Sequence, residues 1–133
     1  MMYLDANFFI FALLDQTKKG DRARELQSDI ITGKKQAITS VLAIDEVMWV
    51  LIKNNKSHLL RKAIEDIYNM ANVEIKGVDP LIPLNALNFI DEFSLKPRDA
   101  FHVSIMELLR IKIIVSDDTD FDRIKEIKRI RLE

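Results

Sequence analysis

The chain has 133 residues, 48% hydrophobic and 31% charged, with three Gly, three Pro and no Cys, a makeup that fits one compact domain over 1–133 and leaves little room for linkers. The absence of cysteine excludes a disulfide framework and a thiolate zinc site, and no run approaches the ~20 apolar residues of a membrane span. A cytoplasmic setting is expected, and the formal net charge of −1 lacks the basic excess common among nucleic-acid binders.

Met2-Tyr3-Leu4 reads as a short strand stopped by Asp5, and residues 6–14 carry aromatic and aliphatic side chains at helical spacing. A second helix is predicted over 21–31, capped by Asp21 and ended near Gly33, with a brief strand at 37–39 after it. Ser40 is placed to cap a third helix over 41–53. Between Val41 and Ile52 ten residues are apolar and only Asp45 and Glu46 are polar. That helix is therefore predicted to be buried nearly all round, with Met48 and Trp49 in the core. An amphipathic helix over 57–71 leads to a strand at 73–75, and Asp79-Pro80 opens a helix over 81–93. Pro97 starts another helix running to Leu109, the β-branched run Ile113-Ile114-Val115 marks a strand over 112–116, and a last strand covers 128–132. Strands alternating with helices predict an α/β fold, a central parallel sheet of four to five strands covered on both faces, whose ligands gather at the carboxyl ends of the strands.

Three carboxylates fall where such a sheet puts functional groups. Asp5 ends the first strand, Asp118 follows the 112–116 strand, and Asp99 opens a helix between them. Read singly, Asp5 and Asp99 are also favoured helix caps, and Asp118, Asp120 and Asp122 are ordinary turn formers. Glu46 differs, because a charged carboxylate in an apolar helix is costly unless it snorkels out, finds a partner or meets a metal, and few cationic partners stand near it in sequence. Carboxylates brought together raise one another's pKa unless a cation neutralises them. A set of oxygen ligands suits Mg²⁺ or Mn²⁺, and such an ion activates water for phosphodiester hydrolysis. The basic cluster Arg123, Lys125, Lys128, Arg129 and Arg131 is read as solvated surface charge.

Met2-Tyr3-Leu4-Asp5-Ala6-Asn7 resembles the opening motif of PIN-domain nucleases, and Thr39 to Val47 is similar to the segment that carries that family's glutamate. Pro97-Arg98-Asp99-Ala100-Phe101-His102 resembles its third motif and Ile114-Val115-Ser116-Asp117-Asp118-Thr119-Asp120-Phe121 its fourth. The four motifs occur in family order and span residues 2 to 121. The resemblance implies a PIN-like α/β/α sandwich, Mg²⁺ or Mn²⁺ dependence and single-stranded RNA as substrate. It assigns metal ligation to Asp5, Asp99 and Asp118, metal binding or water positioning to Glu46, an auxiliary ligand role to Asp120, and supporting roles to Asn7 and Ser116, which would orient carboxylates. Aligning Ser116 and Asp120-Phe121 selects Asp118, with the adjacent Asp117 as the alternative inward residue. His102 shares a helix face with Asp99 and is read as a core histidine satisfied by hydrogen bonds. Small chains of this kind resemble VapC-type toxins, which implies a cognate antitoxin partner and a homodimer. The runner-up reading is a non-catalytic PIN-like RNA-binding or scaffold module.

Overall fold

The structure, a computed structural model, describes residues 1–132. Its elements in chain order are β1 (Met2–Leu4), α1 (Ala6–Leu14), α2 (Lys18–Ile31), β2 (Ala37–Ser40), α3 (Val41–Lys53), α4 (Leu60–Tyr68), β3 (Val73–Lys76), α5 (Ile82–Phe93), α6 (Pro97–Leu109), β4 (Ile113–Val115) and β5 (Lys128–Ile130). Single 3₁₀ turns precede α4 at Ser57–Leu59 and β5 at Thr119–Arg123. The five strands form one parallel sheet in the order β3-β2-β1-β4-β5. The predicted α/β fold with its central parallel sheet is the one observed.

Strand alternation divides the core into two layers. From β1, Met2 and Leu4 point to one face and pack with Phe8, Ile30, Val47 and Ile67 of α1 to α4, whereas Tyr3 points to the other and joins Ala86, Val103 and Met106 of α5 and α6. β4 repeats the pattern, with Val115 in the first layer and Ile114 in the second. Burying each such side chain is worth about 1.5–3 kcal/mol, so the sheet is held from both sides.

Two predicted boundaries move for local reasons. α2 starts at Lys18 instead of Asp21, because the Asp15 carboxylate accepts hydrogen bonds from the Thr17 and Gly20 amides and builds the corner itself. Asp21 instead lies in the first turn and pairs with Arg24 at 2.9 Å. The segment predicted as one helix over 57–71 is a 3₁₀ turn followed by the shorter α4. The predicted ending of α2 is present, with Gly33 at φ +86°, a left-handed conformation glycine adopts without strain.

α3 departs further from expectation. Its Ala43, Ile44, Val47 and Leu51 are buried, but Val41, Trp49 and Ile52 form an exposed apolar stripe on its outer side. Trp49 is 57% exposed and is not a core residue. A single layer of helices covers each sheet face, so even an apolar helix keeps one side toward solvent.

Candidate active site

The order of the sheet assembles the site. β1 and β4 are neighbours with Leu4 opposite Val115, so the residues that follow, Asp5 and Ser116, emerge side by side at the carboxyl edge. The Asp5 carboxylate is held at both oxygens: Oδ1 accepts from the Ala6 amide at 2.7 Å and Oδ2 from the Ser116 hydroxyl at 2.7 Å. Asp5 is thus the N-cap of α1 while its carboxylate also takes part in the candidate cluster.

Asn7 and Ser116 tie the strand ends together. The Asn7 amide nitrogen donates to Ser116 Oγ at 3.2 Å, its oxygen accepts from the Asp117 amide at 3.3 Å, and Ser116 Oγ accepts from the Asp118 amide at 3.1 Å. This lattice sets which way the two adjacent acids face. Asp117 forms an ion pair with Lys19 of α2, which also lies 5.5 Å from the centre of the Phe11 ring. Asp118 accepts from the Asp120 amide at 2.9 Å, and its carboxylate gathers with those of Asp99 and Asp120, their oxygens within 4.8 Å of one another.

A second group, Asp5, Glu46 and His102, meets the same distance limit. Glu46 reaches it from α3, with its side chain 17% exposed. The polar partner that is not apparent near Glu46 in sequence comes from α6: His102 Nε2 lies 2.5 Å from Glu46 Oε1 and 3.6 Å from Asp5 Oδ1. Arg98 Nε stands farther out, 4.0 Å from the same Glu46 oxygen. His102 is a core histidine, 1% exposed, and its Nδ1 lies 2.6 Å from the buried Tyr3 hydroxyl. Tyr3 in turn contacts Ser40 Oγ at 2.7 Å. Sequence reasoning passed over Tyr3 and Ser40 as site components, although a tyrosine flanked by two core-facing strand residues was a signal that its hydroxyl needs a buried partner.

The two groups are one electrostatic unit. Asp99, in the first turn of α6 after its Lys96 cap, has its pKa raised from 3.8 to about 6 by burial, by Asp118 and by Asp5, against an opposing pull from His102. Burial alone would push the His102 pKa down, but the hydrogen bond to Glu46 and the charges of Asp5, Glu46 and Asp99 outweigh it and hold it above the ordinary histidine value.

One basic residue also departs from the surface reading. The Arg129 side chain is only 5% exposed; Nε and Nη2 each donate to Asp122 at 2.9 Å, and Nη1 donates to the Ser116 carbonyl at 3.1 Å. It props the loop that carries Ser116 to Asp118.

The donor set fits a hard divalent cation. Carboxylate oxygens dominate it, His102 is engaged by hydrogen bonds, and the raised Asp99 marks negative charge that a cation would offset.

Several solved structures share this arrangement of elements. VapC20 of Mycobacterium tuberculosis, described as a sarcin-ricin loop cleaving toxin, is similar at a TM-score of 0.76 and 15% identity, over 92% of this chain and 93% of that one. VapBC2 of Rickettsia felis, bound to a DNA fragment from its promoter, matches at 0.76 and 14% identity over 98% of both chains. A toxin–antitoxin complex from Klebsiella pneumoniae matches at 0.67 and 21% identity over 96% of both. These likenesses concern the fold. No curated protein sequence matches the chain. The PIN domain model matches residues 2–127, which takes in every element from β1 to the loop before β5 and all the carboxylates described above. The chain belongs to the PIN domain family.

Proposed function

We propose that the protein is a Mg²⁺- or Mn²⁺-dependent endoribonuclease that hydrolyses phosphodiester bonds of single-stranded RNA, acting as the toxin of a toxin–antitoxin pair. The observation that carries this reading is the convergence of Asp5, Glu46, Asp99, Asp118 and Asp120 at the carboxyl edge of the sheet, with Asp99 raised to about 6. Structural scaffolds have no need to gather repelling charge, and strongly perturbed groups mark functional sites.

Asp5, Asp99 and Asp118 would hold the cation, with Asp120 as an auxiliary ligand. When bound, the ion lowers the pKa of a water and offsets charge at phosphorus. Ser116 and Asn7 fix the Asp5 carboxylate and the following loop before substrate arrives. Glu46 would orient the attacking water, which gives up a proton to solvent as its oxygen bonds to phosphorus, while the bond to the leaving sugar oxygen breaks and that oxygen takes up a proton from solvent. The toxin role, with a cognate antitoxin and a homodimer in the cytoplasm, draws support from the solved neighbours, two of which are toxin–antitoxin complexes.

Cleavage of a single-stranded RNA should stop with EDTA and return with Mg²⁺ or Mn²⁺. Asp5→Asn, Asp99→Asn and Asp118→Asn should each lose most activity with strongly non-additive losses, and Asp117→Asn should be mild. Equal cleavage with and without chelator, in protein free of contaminating nuclease, would overturn the metal mechanism. Full activity in all the site variants would remove the acidic cluster from the reaction.

A further inference from the structure

His102 lies among carboxylates yet is almost wholly enclosed, and both of its ring nitrogens are spoken for. Nε2 faces only acceptors, Glu46 Oε1 at 2.5 Å and Asp5 Oδ1 at 3.6 Å, so this nitrogen carries a hydrogen in either protonation state of the ring. Nδ1 faces the Tyr3 hydroxyl at 2.6 Å, a group that both donates and accepts. The ring therefore cannot flip without breaking two short contacts. Tyr3 is fully buried, and its hydroxyl also touches Ser40 Oγ at 2.7 Å.

Ser40 is the N-cap of α3, where its Oγ accepts from the Ala43 amide at 3.3 Å, and Glu46 stands farther along that same helix. A single hydroxyl at the centre of the sheet thus links the start of α3 to α6, while His102 links α6 to Glu46. Apolar packing alone could satisfy neither requirement, since a phenylalanine in place of Tyr3 would fill the same space without orienting either helix.

We propose that Tyr3 and His102 form a buried clamp that positions Glu46, committing its Oε1 to the imidazole and leaving Oε2 for the reaction. His102 is then a positioning residue and Tyr3 the part that fixes its ring. This inference rests on the ribonuclease reading above for its kinetic consequences, but the clamp itself can be read without them.

The test uses Tyr3→Phe, His102→Gln, His102→Ala, Glu46→Gln and the double variant Glu46→Gln/His102→Ala in the full chain. Loss of a group that orients a functional carboxylate typically costs 10–100-fold, so Tyr3→Phe should lower kcat roughly tenfold and His102→Ala roughly a hundredfold, with KM for RNA unchanged. His102→Gln, whose amide nitrogen can replace the Nε2 donor, should recover much of that loss. If His102 governs the rate by positioning Glu46, the double variant should be no slower than Glu46→Gln alone. Long-range ¹H–¹⁵N spectra of the imidazole supply a readout that packing alone would not move: Glu46→Gln should shift the Nε2 resonance and Tyr3→Phe the Nδ1 resonance. Full kcat in Tyr3→Phe, or a double variant slowed by the product of the two single losses, would overturn the clamp even if the variants fold normally. If wild-type protein cleaves no RNA with added Mg²⁺ or Mn²⁺, the ribonuclease reading fails and the spectra alone judge the clamp, which an unmoved Nε2 resonance in Glu46→Gln would refute.

Discussion

Asp99 stands half-buried in the first turn of α6, with Asp118, Asp5 and Asp120 around it. Burial and these neighbours raise its pKa from 3.8 to about 6, so the folded chain binds this proton more tightly than the unfolded chain does. Without metal, the protein therefore loses stability as pH rises from about 4 to 6, and above that the whole penalty is present. The α6 N-terminus and solvent soften it, and after discounting for its exposure we expect Asp99→Asn to stabilise the metal-free protein by about 1 kcal/mol at pH 7, or roughly 3 °C in melting temperature. Thermal melts at pH 4 and pH 7 check this, because the gain should vanish at the lower pH. A variant less stable than wild type at pH 7 would show that Asp99 is held by contacts stronger than the repulsion it suffers. Wild-type metal affinity should weaken as pH falls through 6, since a ligand must shed its proton first.

Among the elements, the corner between α1 and α2 places Lys19 against Asp117 and so bears on the neighbouring site loop. The corner depends on Gly20, where a Cβ would lie 1.9 Å from the Asp15 carbonyl oxygen and 2.9 Å from Arg24 Nη2. The first contact is with backbone and has no easy escape. The Arg24 guanidinium also donates to the Asp15 carbonyl at 2.8 Å, so displacing that carbonyl disturbs a second bond. Gly20→Ala should destabilise by about 2 kcal/mol or more, in line with overpacked cores, and lower the melting temperature by several degrees. Calorimetry measures this directly, and an unchanged melting temperature would show that the corner shifts freely. α3 and α6 contribute differently: α3 delivers one carboxylate, Glu46, from a mostly apolar helix, whereas α6 delivers both Asp99 and His102 into the cleft.

In the whole molecule the candidate site lies between layers: Asp5 and Ser116 follow β1 and β4, α3 comes from one face of the sheet and α6 from the other. No helix among the described residues is long and apolar enough to cross a membrane. A ligand that binds only the folded chain stabilises it by mass action, by about 2.7 kcal/mol at a hundredfold excess over Kd. Saturating Mn²⁺ or Mg²⁺ should therefore raise the melting temperature of the wild type by roughly 8 °C, and of Asp5→Asn/Asp99→Asn hardly at all. The comparison is a thermal shift with each ion and with Ca²⁺-free chelated buffer as the reference. An equal shift in the double variant would place the binding elsewhere.

The alternation of strands and helices is legible in the chain alone, because the period of apolar residues is local, and the ends of β1, β2 and α2 are marked there by Asp5, Ser40 and Gly33. It also marked the four acidic segments, since carboxylates at strand and helix starts are visible without knowing what lies opposite. The side-chain pairings, by contrast, depend on which elements become neighbours in space. Nothing near Glu46 in the chain shows that His102, 56 residues on, would meet it, or that Tyr3 would hold that histidine across 99 residues. The partner of Asp117 lies 98 residues away in α2, and this ion pair, beside the hydrogen bonds of Ser116, separates its orientation from that of Asp118. α3 is less buried than its composition predicts for the same reason: composition gives the total apolar content of a helix, while the number of layers packed around it decides how much of that content leaves water. Trp49 stays exposed on α3, and Arg129, read as surface charge, is enclosed beneath the Ser116 loop.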